Sequence, residues 1–306
     1  MLRFCLKRLF SMLITLFLIA TATFFMLRLM PGSPFATDRP MPPKVEQALK
    51  EKYNLDAPVY EQYFDYMSGL AVGDLGSSMQ MLGVEVTDII KTAFPVSARV
   101  GGLAVLMVVA LGIPLGVIAA LQRGKAADYA VSIFSTMGIT IPSFVIATFI
   151  IYIFAEKLGW IPTNGLSNWR SYIGPVIALG GFSLAFVTRL MRSSYLEVIS
   201  QDYIRTARAN GLSRSKILFK HALKNALIPV ITYIGPAIAS ILTGSFVVEK
   251  IFTIPGMGKY FVESIGNRDY SLVMGVTLFF AAFYILMVFL VDLAYAAIDP
   301  RIKPEQ

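Results

Sequence analysis

Cysteine and histidine are almost missing from this chain of 306 residues, which carries one of each, Cys5 and His221. That excludes an internal disulfide framework, and without a Cys/His cluster no protein-built metal site is expected. Charge is scarce as well: 15% of the residues are charged and 56% apolar, with a mean hydropathy of +0.66. A soluble globule of this length needs more charge than that, so the composition places the chain in a membrane. A phosphate-cradling G-x-x-x-x-G-K-[ST] loop is absent, since Gly124-Lys125 and Gly258-Lys259 are followed by Ala126 and Tyr260. Ser193 and Ser194 have no partnered base, and His221 stands in a basic stretch without a neighbouring carboxylate. The chain is therefore expected not to be an enzyme and to hold no cofactor of its own. No row of Asp, Glu or His occupies the middle of an apolar stretch, which argues against a proton or sodium relay. Basic residues nowhere interleave with aromatics outside these stretches, so no nucleic-acid partner is expected.

What the chain has instead is apolar length. Six runs approach the ~20 residues that cross a bilayer: 10–30, 100–121, 129–154, 172–190, 226–248 and 272–298. The fold class is accordingly an all-α membrane protein with six transmembrane helices, multi-pass in a lipid membrane. The first run exceeds a secretory core and has no small-residue cleavage pattern before Pro31, so it reads as a retained anchor. Cys5 flanks it, either unmodified or acylated. Basic residues cluster before run 1, between runs 2 and 3, between runs 4 and 5, and after run 6. Residues 31–95, by contrast, hold five basic and nine acidic side chains. By the positive-inside rule both termini are cytoplasmic. The net charge of +8 expresses this asymmetry. Arg28, Arg99, Arg189 and Asp292 stand near run ends, where snorkelling explains them.

The expected organisation is an anchor helix (1–30), an external helical insertion (31–95), a transmembrane core (96–298) with a cytoplasmic segment at 200–225, and a tail (299–306). Within the insertion, Pro42 and Pro43 open a helix over 44–53, Pro58 a second over 60–70, and 84–93 forms a third that ends before Pro95. G-D-L-G-S-S at 73–78 supplies a turn. Helix-interrupting residues recur in three runs: Gly112, Pro114 and Gly116; Gly138, Pro142 and Ser143; Gly235, Pro236, Ser240, Thr243 and Gly244. Gly138, Pro142, Ser143, Gly235, Pro236, Ser240 and Thr243 are candidates for a translocation path. Close helix packing explains the same residues without a pore, and both readings stand.

Between runs 4 and 5 lies a short basic segment, a polar hairpin between two spans. Ser200 is placed to cap a short helix with Gln201 and Asp202 in its first turn, and Asn210-Gly211 to end it. Ser213 then caps a second helix rising into run 5. A push on the first helix would tilt the second. A loop whose charge serves topology alone is the alternative.

The segment R-T-A-R-A-N-G (205–211) followed by H-A-L-K-N-A-L-I-P (221–229) resembles the coupling motif of ABC importer permeases, E-A-A-x3-G-x9-I-x-L-P. Gly211 matches its glycine and Ala207 an alanine; Arg205 replaces the acidic residue and Lys224 the proline. The resemblance extends through P-G-S-P-F (31–35), G-D-L-G (73–76), F-P-V-S-A (94–98), I-P-S-F (141–144), T-G-S-F-V-V-E (243–249), I-P-G-M-G (254–258), N-R-D-Y (267–270) and D-P-R (299–301), in the order of the oligopeptide permeases of that family. It implies the type I importer architecture in the inner (cytoplasmic) membrane. It implies a second homologous permease subunit, two ABC ATPase subunits that bind ATP and Mg, and an extracellular or periplasmic peptide-binding protein. ATPase coupling would fall to Arg205, Thr206, Ala207, Arg208, Ala209, Gly211 and His221, and the cargo would be oligopeptides. Dipeptides, nickel or glutathione are the alternatives within the family; a receptor or scaffold without transport is the alternative outside it.

Overall fold

The computed structural model describes residues 2–30, 34–35 and 42–298, and the side chains among them except those of 2–5, 292 and 294–298. Residues 31–33 of P-G-S-P-F, D-P-R and the tail lie outside the described residues, as do the side chains of Cys5 and Asp292. In chain order the helices are α1 (Leu2–Arg28), α2 (Pro43–Lys52), α3 (Val59–Ala71), α4 (Val86–Leu121), α5 (Ala126–Thr140), α6 (Ser143–Ile150), α7 (Ile173–Ile199), α8 (Asp202–Ala209), α9 (Leu223–Leu242), α10 (Phe246–Ile251), α11 (Met257–Gly266) and α12 (Tyr270–Ile298). Two π-helical turns, Ile151–Lys157 and Lys216–Ala222, follow α6 and precede α9. Among the described residues the β structure is an isolated bridge between Ser77 and Glu85.

Five helices are long and apolar enough to cross a membrane alone, and α5 with α6 forms a sixth apolar stretch bent by 107°. The run expected at 129–154 is thus broken. Pro142 brings no N–H to the ladder and holds Ile141 extended, at φ −84° and ψ 123°. Pro95 behaves differently: the helix expected to end before it continues to Leu121 as one helix of 36 residues. Pro95 itself is exposed, while Ala93, Ser97 and Val100 on either side of it are buried, so packing holds the helix through the missing hydrogen bond. Gly112, Pro114 and Gly116 do not interrupt α4 either, and α9 runs unbroken through Pro229 and Pro236. α9 stops at Leu242, short of the expected 248, because Gly244 turns into the left-handed region at φ +80°. Ser245 then caps α10, accepting from the Val248 N–H.

The chain divides into two compact units, Met1–Val96 with Pro255–Gln306, and Ser97–Ile254. In the first, α1 packs on α12. The expected helices at 44–53 and 60–70 are α2 and α3, each entered through a proline. Tyr63 of α3 stacks 5.5 Å from Phe25 and meets Thr21 through its hydroxyl at 2.9 Å. Buried Asp269 is the clamp of this unit. Its carboxylate accepts from the Ser78 hydroxyl, from the Met79 and Gln80 N–H groups at 3.1 and 3.3 Å, and from the Leu272 N–H of α12 at 3.1 Å. Gln80 reaches on to the carbonyls of Pro34 and Asn267. The G-D-L-G-S-S and N-R-D-Y motifs are therefore two halves of one joint.

In the second unit α7 is the most deeply buried of the long helices and touches α5, α6, α9 and α10. The contacts are close because small residues permit it. A Cβ on Gly116 would lie 2.6 Å from both the Met191 Cβ and the Thr188 carbonyl, and one on Gly138 2.6 Å from the Ala185 Cβ. Buried Ser97 donates to Glu249 Oε1 at 2.7 Å, joining F-P-V-S-A to T-G-S-F-V-V-E.

Candidate coupling segment and membrane path

α8 is short and strongly two-faced. Ile204 and Ala207, three residues apart, are buried, whereas Arg205, Thr206, Arg208 and Ala209 are exposed. It therefore lies on the unit like a strip glued along one edge. Tyr203 assists by accepting from Asn225 Nδ2 at 2.7 Å, which ties α8 to the first turn of α9. Ser200 does not cap this helix as expected. It ends α7, donating its hydroxyl to the Glu197 carbonyl, and Gln201 takes the capping position without a side-chain bond. The physical reason is that α7 runs on to Ile199, leaving Ser200 in helical geometry at φ −82°, ψ −10°.

The C-terminal end of α8 matches its expectation. Gly211 adopts φ +74°, its N–H donates to the Arg208 carbonyl at 3.0 Å, and the Leu212 N–H donates back to the Ala207 carbonyl at 3.3 Å. This pair of bonds is the Schellman arrangement, with Leu212 tucked against the core. Among the described residues, no atom beyond those of its chain neighbours lies within 4 Å of where a Gly211 Cβ would stand, so the position favours glycine for its backbone conformation alone. Ser213 accepts from the Lys216 N–H at 3.4 Å and opens the next helix.

That helix begins as the π-helical turn Lys216–Ala222. Wider winding frees backbone carbonyls, and the buried Tyr195 of α7 donates its hydroxyl to that of Leu218 at 3.0 Å. His221 is partly buried in this turn, with Nε2 unpartnered. Lys224 is exposed in the first turn of α9. Beside α8 the end of α4, the end of α7 and the π-turn line a half-open pocket of about 540 Å³, with Arg208 and Arg214 among its mostly apolar lining residues.

Of the path candidates, Gly138 sits in the α5–α7 contact, and Pro142 and Ser143 stand at the bend. Gly235 is buried in α9, Pro236 and Ser240 are exposed on it, and Thr243 caps its end. Sequence reasoning missed the bond that joins α5 to α7 at the start of α5. Arg192 of α7 grips Asp128 of α5 with two hydrogen bonds of 2.5 and 2.8 Å, while the Gly124 N–H donates to the same carboxylate at 2.9 Å. The available signal was an acidic residue in the first turn after R-G-K, where a helix N-terminus favours it.

Comparison with known proteins fits this geometry. The family model of the binding-protein-dependent transport system inner membrane component matches residues 112–304, and the N-terminal model of the same systems matches 1–100. The chain is 48% identical over 303 residues to the dipeptide transport system permease protein DppB of Bacillus subtilis, covering 99% of this chain and 98% of that one. It is 46% identical over 305 residues to the oligopeptide transport system permease protein OppB of Haemophilus influenzae, covering 99% and 100%. A solved inward-facing MetNI methionine ABC transporter shares the fold, with a TM-score of 0.54 at 18% identity over 70% of this chain and 97% of that one. The chain thus belongs to the binding-protein-dependent transport system inner membrane components, the membrane permease subunits of ABC importers.

Proposed function

We propose that this permease carries peptides, forming one half of a path whose other half is a second, similar permease subunit. Similarity to peptide permeases over 99% of the chain is the observation that carries this reading. ABC importer permeases work with ATPase and substrate-binding components; here we infer two ATPases, which bind ATP and Mg, and an external peptide-binding protein. Both termini and α8 face the cytoplasm in this reading, and α2 and α3 face outward. The exposed edge of α8 (Arg205, Thr206, Arg208, Ala209) meets an ATPase, with Ala207 and His221 behind it. The Gly211 turn passes its displacement through the π-turn to α9. Pro142, Ser143, Pro236, Ser240 and Thr243 line the path, and Gly138 and Gly235 let its helices approach.

The test is uptake of a labelled tripeptide into proteoliposomes holding the permease pair, the ATPases and the binding protein. Gly211→Val places a β-branched side chain at φ +74° and should abolish uptake with insertion intact. Gly211→Asn, which tolerates that region, should retain much of it. Normal uptake by the valine variant would sink the coupling role, and failure of the unmodified assembly to take up any peptide while moving nickel or glutathione would sink the cargo.

A further inference from the structure

The first unit has a half-open pocket of about 170 Å³ at the end of α1. Arg28, the last residue of α1, lines it. Instead of snorkelling to water, its guanidinium lies 5.1 Å from the ring centroids of both Phe24 and Tyr270. Among the described residues no carboxylate stands within ion-pair distance of it. Asp65 of α3 lines the same pocket and accepts from Asn54, an uncharged donor, at 2.8 Å. Arg28 is thus a partly buried cation without a carboxylate partner, which is uncommon, and the exposed Asp65 stands on the same lining. On the same lining Gln62 is 8% exposed. It gives both amide hydrogens to the Leu55 and Ala57 carbonyls, at 3.0 and 2.7 Å. Those acceptors fix the orientation of the amide, so Oε1 is left without a donor. The neighbouring Tyr66 hydroxyl is likewise unpartnered, and burial pushes its pKa up, which keeps the proton in place for donation.

We propose that this pocket binds a small zwitterion, its oxyanion on Arg28 and its ammonium against Asp65 and Gln62 Oε1. A simple anion would meet Asp65 and a simple cation would meet Arg28, so a ligand carrying both charges fits best. The volume holds a group of several heavy atoms, well beyond a single water. A guanidinium fork takes a carboxylate or a phosphate alike. Two sources supply the chemistry: a free amino acid, or the ethanolamine phosphate headgroup of a lipid whose chains lie on the exposed Met26 and Leu29 of α1. This inference stands apart from the peptide reading, since it concerns a site built within α1, α3 and α12.

The complete assembly, without its binding protein, is placed in phosphatidylcholine nanodiscs, a lipid whose quaternary ammonium has no N–H to give. Leucine is titrated calorimetrically; in parallel, phosphatidylethanolamine retained by the purified assembly is quantified by mass spectrometry. Asp65→Asn, at an exposed position, is the deciding variant, and an unchanged melting temperature in the absence of ligand checks its fold; Arg28→Gln is the second. Saturable leucine binding weakened at least tenfold by Asp65→Asn supports an amino-acid ligand. Retained phosphatidylethanolamine lost at least tenfold in that variant supports the headgroup. Absence of both, or binding indifferent to Asp65→Asn, overturns the proposal.

Discussion

Asp269 shows how one side chain can hold a distant loop. Its carboxylate takes three backbone N–H groups and the Ser78 hydroxyl, from segments as far as 191 residues apart in sequence. Deleting it strands several buried donors at once, and hydrogen bonds to a buried charge are the costly ones to lose. Asp269→Ala is expected to lower stability by roughly 3–5 kcal/mol, read as a large drop in the unfolding midpoint of the detergent-solubilised protein. A midpoint near that of the unmodified chain would show that the 78–80 loop is held by something else. This joint was not readable from the sequence. G-D-L-G-S-S reads locally as a turn, and N-R-D-Y is noticed only as a motif of the resemblance. Their pairing depends on a tertiary contact that neither segment's own sequence encodes. The same holds for Ser97 with Glu249 and for Asp128 with Arg192.

At the scale of elements, the prolines show why boundaries are harder to read than spans. Pro95 and Pro142 carry the same local instruction, to remove an N–H and push the preceding residue out of helix. Pro142 bends the chain by 107°, whereas Pro95 is carried inside a helix of 36 residues. Buried neighbours decide between them, and burial belongs to the fold. The apolar runs themselves were legible because bilayer thickness sets their length and hydropathy reports it directly. Glycine spacing in α4 was legible as a signal but ambiguous in meaning; the structure resolves it as contact with α7. Gly116→Ile should therefore force α4 off α7 and destabilise the protein by about 1–3 kcal/mol. Pairing it with Met191→Ala should not restore the loss, because alanine keeps the Cβ that obstructs the new side chain and the Thr188 carbonyl stands at the same distance. Full recovery of the melting temperature in the double variant would place the obstruction on the Met191 side chain beyond its Cβ.

For the whole molecule, the scarcity of cysteine becomes a tool. Replacing Cys5 with Ser leaves a chain without cysteine, into which single cysteines can be placed. Val72, after α3, is 82% exposed, and Lys220, in the π-turn, is exposed as well. In intact cells a membrane-impermeant maleimide should label Val72→Cys at once and Lys220→Cys only after permeabilisation. The reverse pattern would invert the proposed orientation. The turn that holds Lys220 has one more consequence. A π-turn stores an additional residue per turn, held here by the Tyr195 hydroxyl on the Leu218 carbonyl. If the turn rewound to an α-helix, everything after Ala222 would swivel by about 100° and advance about 1.5 Å, one residue's worth of helix. Such a ratchet would change which side chains of α9 face a given neighbour while leaving the helix straight and its length in the membrane almost the same.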